Sequence, residues 1–280
     1  MLAATPTATP AATPAATLAA MLAATPAATP AATPAATPAA LAPDTDEPLV
    51  AALRSWVQKE CARHDASHDA EHAAQVHRLS ELVLAAGLPD ASCDVQQAVR
   101  CAAWTHDLCD RKYVPDVAAA AARVAAKCCA LGASAVAAEL AGAVVAEMSF
   151  TARLRRFDAA SERAGAGAAH PASLGDPPGL SGAALLVYRV VSDADLLEAM
   201  GVVGVVRTFM YQATHNATPF SALLHVEKTL QRGLVFLAHP WAVAEGVQRD
   251  AAMRRVCREY RRERGAAPVA ADGEPGGRRG

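Results

Sequence analysis

Trp104-Thr105-His106-Asp107-Leu108-Cys109-Asp110-Arg111-Lys112-Tyr113 closes an apolar run on an adjacent imidazole and carboxylate. Val95, Val99, Ala102, Ala103 and His106 recur at helical steps, so the run predicts a helix that delivers His106 and Asp107 at its C-terminal end. One metal ion can draw such a pair into a single coordination shell. Two other segments supply the same donor types. Upstream, His68-Asp69-Ala70-Glu71-His72-Ala73-Ala74-Gln75-Val76 opens a helix whose His72, Val76, Leu79 and Val83 share one stripe. Downstream, Ser192-Asp193-Ala194-Asp195-Leu196-Leu197-Glu198 puts acids into the aliphatic helix expected from Ala183 to Gly201. A carboxylate there is costly to bury unless it is paired or metal-bound. Asp193 and Asp195 lie about 200° apart on a helical wheel, so one of them can face a given site while the other holds a loop or supports the site from behind.

The order His, then His-Asp, then Asp resembles the HD superfamily of metal-dependent phosphohydrolases. Ser-His-Asp-x-x-His-x-x-x-Val, His-Asp-x-x-Asp-x-Lys-Tyr, Ser149-Phe150 and Asp-Ala-Asp-x-Leu-x-Ala-x-Gly-x-x-Gly-x-x-Arg-Thr-Phe look like one subgroup of small, all-helical HD hydrolases, some of them associated with nucleotide hydrolysis. The resemblance implies an all-α fold with a single HD-type domain over residues 47–264. It implies His72, His106, Asp107 and Asp195 as metal ligands, Asp195 being selected over Asp193 by the Ala-Asp-x-Leu match. His68, one turn before His72, is expected on the substrate side or behind the ligands rather than as a first ligand. Asp107 and Asp110 are the candidates for proton handling, Asp110 alternatively supporting the ligands. Lys112 is either a phosphate contact or a solvated loop charge, and Arg207 either clamps phosphate or pairs with an acid. Gln75 and Leu196 stand where the family commonly has Arg.

That ligand set, two imidazoles and two carboxylates, suits a divalent cation, Mn²⁺ favoured, with Mg²⁺, Fe²⁺, Co²⁺ or Zn²⁺ as alternatives. The implied activity is hydrolysis of a phosphoester or phosphoanhydride bond, in a nucleotide first of all, through a metal-activated water. The other reading is a metal- and nucleotide-binding sensor or scaffold. No Walker loop and no Gly-x-Ser-x-Gly elbow is present.

Around this domain the 280-residue chain changes character. Residues 1–46 repeat Ala-Ala-Thr-Pro with no charge before Asp44. Frequent proline forbids a continuous helix, and few large apolar side chains are available to offset the cost of ordering, so this arm is expected to be disordered. The first basic residue is Arg54 and no apolar stretch of about 20 residues occurs outside Ala-rich helices, which points away from a secretory signal or membrane partner. A net charge of −2 and a mixed Arg/Glu cluster at residues 254–264 point away from nucleic acid. Seven cysteines, an odd number inside helical patterns, are expected as reduced core thiols of a cytoplasmic protein, an organelle address in the arm being the alternative. Residues 151–182 run from Arg-rich to Gly/Ala/Pro-rich with no apolar period and are expected as a flexible insertion loop; residues 265–280 are expected as a disordered tail. His225 is read as structural, and His64 and His77 as solvent-facing.

Overall fold

The computed structural model describes residues 47–62, 69–164, 173 and 175–265. Among these the regular structure is entirely helical, with ten α-helices and two 3-10 segments. The arm at 1–46, the tail beyond Gly265, His64 and His68 lie outside the described residues.

Local chemistry starts and stops the helices where the chain needs them. Helix α1 (Pro48–Cys61) opens on proline and buries Leu49, Val50, Leu53 and Val57. Helix α2 (Ala70–Gly87) is capped by Asp69, whose carboxylate accepts the backbone N–H of His72 at 2.9 Å. Ser92, Asp116 and Ser134 cap α3 (Cys93–Thr105), α4 (Val117–Ala130) and α5 (Ala135–Val145) in the same way. Such a cap contributes about 0.5–2 kcal/mol. Gly132, at φ +106°, turns the chain between α4 and α5 in a conformation that favours glycine. Alanines let these helices approach closely: a Cβ on Gly142 of α5 would lie 2.9 Å from the Ala125 Cβ of α4.

After α6 (Phe150–Ala164), α7 (Gly182–Glu198) runs through the centre of the molecule, burying both its aliphatic residues and Ser192, Asp193 and Glu198. Mostly buried from Val187 onward, α7 packs against α2, α3 and α5. Helices α8 (Gly201–Thr214), α9 (Pro219–Lys228) and α10 (Pro240–Glu263) close the chain, with a 3-10 segment at Leu230–Phe236 before α10. They enclose a second, smaller core of Val205, Leu223, Val226, Met253 and Cys257.

Two expectations are corrected. Residues 151–164 are not loop but the body of α6, and a buried arginine explains why the pattern was missed. Phe150, Arg153, Leu154 and Phe157 form the inward stripe, and Arg153, 1% exposed, sits where an apolar residue would have revealed the period. Residues 165–172 and 174 of the same stretch lie outside the described residues. His77 is not solvent-facing: it is buried against Trp104, with ring centroids 5.6 Å apart.

Candidate metal centre and its pocket

His106 and Asp107 begin a 3-10 turn (His106–Cys109) that follows α3, rather than ending the α-helix itself. The tighter turn brings both inward toward the first turn of α2 and the last turn of α7. His106 Nε2 lies 3.0 Å from His72 Nε2. Asp107 Oδ2 is 3.5 Å from the His72 nitrogen and 3.4 Å from that of His106. Asp195 Oδ1 is 3.4 Å from His72 Nε2 and 3.7 Å from His106 Nε2. His72, His106 and Asp195 each offer a donor atom within 4.8 Å of the others, a spacing that can hold a metal ion.

The tautomer of His106 follows from its other nitrogen. Nδ1 lies 2.9 Å from the Ala103 carbonyl, which can only accept, so Nδ1 carries the proton and Nε2 turns its lone pair inward in the neutral ring. Ligating histidines are oriented by this kind of contact. Two imidazole nitrogens at hydrogen-bond distance, flanked by two carboxylates, need a proton or a cation between them. Burial is the strongest single influence on His106 and disfavours its charged form, yet Asp107, Asp195 and the Ala103 carbonyl together raise its pKa. For Asp195, burial acts upward, but His72, His106 and Arg207 outweigh it and hold the carboxyl well below the usual range. The donors thus fit a divalent cation by atom type and convergence.

The centre forms the floor of a pocket of about 860 Å³. Asp107, Asp110, Lys112, Asp195 and Arg207, all expected at the site, line it. Asp110 accepts the Lys112 backbone N–H at 2.8 Å and its second oxygen lies 3.7 Å from the Lys112 ammonium. That ammonium sits 5.2 Å from the centre of the Tyr211 ring, so Lys112 is held by an acid and an aromatic face rather than left as a plain solvated charge. His68 lies outside the described residues, and its expected substrate-side position is not described. Asp193 faces away from the metal centre. Fully buried, it accepts the N–H groups of Ala238 and His239 and pairs with His239 Nδ1 at 2.9 Å, fastening α7 to the start of α10.

Several lining residues were not assigned to the site from sequence. Arg155 and Arg156 reach the pocket from α6, Tyr211 from α8, and His225 from α9. The cluster of arginines was visible, but only the helix hidden by Arg153 turns it toward the metal centre. Glu198, one turn beyond Asp195, is buried; burial raises its pKa against the opposing effects of His72, Arg207 and Arg249.

No family model matches this sequence, and no curated protein matches it. Solved structures do. YpgQ of Bacillus subtilis, determined in complex with ADP, is similar at TM-score 0.56 and 22% identity, over 77% of this chain and 94% of its own. A protein described as an HD-superfamily hydrolase, from Bacillus thuringiensis, is similar at TM-score 0.53 and 17% identity, over 78% of this chain and 97% of its own. This chain shares the fold of these two structures. A Lactobacillus plantarum protein extends the likeness at TM-score 0.56 and 20% identity, over 78% and 98% of the two chains. The shared fold spans nearly the whole of these neighbours, and the unmatched part of this chain is of the order of its arm and tail.

Proposed function

We propose that this protein is a metal-dependent phosphohydrolase whose ligands are His72, His106, Asp107 and Asp195 and whose substrate is a phosphorylated small molecule, a nucleotide first of all. The observation that carries the reading is the convergence of the two Nε2 atoms and two carboxylates on the floor of a cationic pocket. A divalent cation held there supplies a more acidic water and polarises a phosphoryl oxygen.

The chain's own groups divide the remaining work. Ala103 fixes the His106 tautomer so that a lone pair faces the centre. Asp107 both approaches the ring nitrogens and lines the pocket, which makes it the group to accept a proton from the attacking water. Asp110 orients Lys112 through its backbone and its ammonium. Lys112, Arg155 and Arg207 bring fixed positive charge to the pocket, where it offsets charge developing on phosphate. A volume of about 860 Å³ falls in the range of small-molecule sites. ADP in the YpgQ structure is a property of that protein, and it supports the choice of a nucleotide as the first substrate to test.

The ligand assignment is tested by titrating metal-free protein with Mn²⁺. The wild type should bind one ion per chain, while His72→Ala and Asp195→Ala should bind more than about 100-fold more weakly, beyond the 10–100-fold typical of losing an outer contact. Folded variants that keep the wild-type affinity would remove those side chains from the metal site.

A further inference from the structure

Arg153, buried in α6, carries one donor that no described protein group takes. Its two terminal nitrogens donate to Ser192 Oγ and to the Phe236 carbonyl, but Nε has no partner among the described residues. A buried donor left in this way is costly, and proteins commonly satisfy it with an internal water. Beside it lies a cavity of about 10 Å³, whose lining includes Ser149, Arg153, Tyr188, Ser192 and Asp195. Ser192 and Asp195 are three residues apart on α7 and so share one helix face. A guanidinium anchored at Ser192 therefore lies next to the Asp195 carboxylate. Ser149, Phe150 and Asp195 line both this cavity and the larger pocket.

We propose that this cavity binds a single water molecule that accepts the Arg153 Nε–H and donates to the Asp195 carboxylate, which makes Arg153 a positioning residue for the metal centre. The inference rests on Asp195 being a metal ligand, as proposed above. Size and polarity choose the occupant. A volume of about 10 Å³ is the room that one water needs, and it is too small for a phosphate group. A guanidinium and a carboxylate facing the same space leave no net charge to select a lone ion, whereas water both accepts and donates. The hydroxyls of Ser149 and Tyr188 supply its remaining contacts. Arg153 is itself immobile, held by Ser192, by the Phe236 carbonyl and against the rings of Tyr188 and Phe236. Asp195 turns Oδ1 toward His72 Nε2 and His106 Nε2, at 3.4 and 3.7 Å. A water fixed by Arg153 keeps the carboxylate from rotating away from them. Loss of such an outer contact weakens metal binding by about 10–100-fold.

The test is a double-mutant cycle read by Mn²⁺ titration of full-length, metal-free protein. Arg153→Met, an unbranched side chain without the Nε–H, should weaken binding by about 10–100-fold. In an Asp195→Ala background the same substitution should change the affinity by no more than about 2-fold, the scatter of independent sites. A purely structural loss would persist in both backgrounds, so the cycle separates positioning from packing. Arg153→Met with wild-type affinity, or a loss of equal size in both backgrounds, would overturn the proposal and leave the ligand assignment standing. Asp195→Ala with wild-type affinity would overturn the ligand assignment and this proposal with it. Should Arg153→Met fail to fold, a crystal structure of the wild-type protein decides. One water within about 3.2 Å of both Arg153 Nε and an Asp195 oxygen is expected, and a well-resolved cavity without it would overturn the proposal.

Discussion

His106 concentrates the chemistry of the centre in one proton. Its Nδ1–H is committed to Ala103, so only Nε2 exchanges between proton and cation. Asp107 and Asp195 raise its pKa above the ordinary 6.5 despite burial, which makes the proton a real competitor near neutral pH. Mn²⁺ affinity should therefore fall as pH drops through the raised His106 value and rise above it, with proton release on binding, measurable by calorimetry between about pH 5 and 8 in buffers of different ionisation enthalpy. Without metal the linkage has the opposite sense: the raised value stabilises the folded protein fully below 6.5, and that contribution is lost as pH rises through the folded-state pKa. An affinity independent of pH over this range would mean that Nε2 does not face the ion. At this scale the sequence was most informative about the residues that converge at the candidate centre. His72 shares a stripe with Val76, Leu79 and Val83, and Asp195 is an acid in an aliphatic helix, both odd enough in their settings to be noticed. It was least informative about pairs joined only by folding, such as Lys112 with Tyr211, nearly a hundred residues apart in sequence.

Single buried polar groups fasten one helix to another here, and they explain which elements could be read. Asp193 takes the loop-holding role that spacing left open, accepting N–H groups at the start of α10 and so fixing the register of α7 two residues before Asp195. Arg153 does the same for α6. Its guanidinium donates to Ser192 Oγ on α7 and to the Phe236 carbonyl at 2.8 Å, and lies over the rings of Tyr188 and Phe236. Those contacts join the pocket wall to the helix that carries Asp195. Arg153→Ala should lower stability by about 3 kcal/mol or more, through lost charge-assisted hydrogen bonds and an unfilled cavity, as read from urea unfolding. Arg153→Lys should not restore it, because a single ammonium lacks the planar fork that reaches acceptors on two elements. A change below about 0.5 kcal/mol, the usual range of surface substitutions, would show that α6 is held by other contacts. The same residue hid the helix: a charged side chain in the middle of an apolar stripe reads as loop until its partners are known.

At the scale of the molecule, the pocket lies where the larger core around α7 meets the smaller core of α8, α9 and α10. The larger core brings His72, Asp107 and Asp195, and the smaller brings Arg207, Tyr211 and His225. That division explains why the fold and the residues that converge at the candidate centre were legible while most of the pocket wall was not. Helical periodicity and the order of the His and Asp residues belong to the chain, whereas the wall exists only once the two cores meet. No single described helix is long and apolar enough to cross a membrane.

The most direct test of the account is release of phosphate and pyrophosphate from a panel of nucleoside mono-, di- and triphosphates, by full-length protein with Mn²⁺ or with chelator, and by Asp107→Ala. Turnover should need the metal and fall by about 100-fold or more in Asp107→Ala, the scale expected when a general base is lost. Turnover that survives both chelation and the substitution would contradict it. Folded, Mn²⁺-loaded protein that binds these nucleotides and returns them uncut would also contradict it, and would mark the site as a sensor.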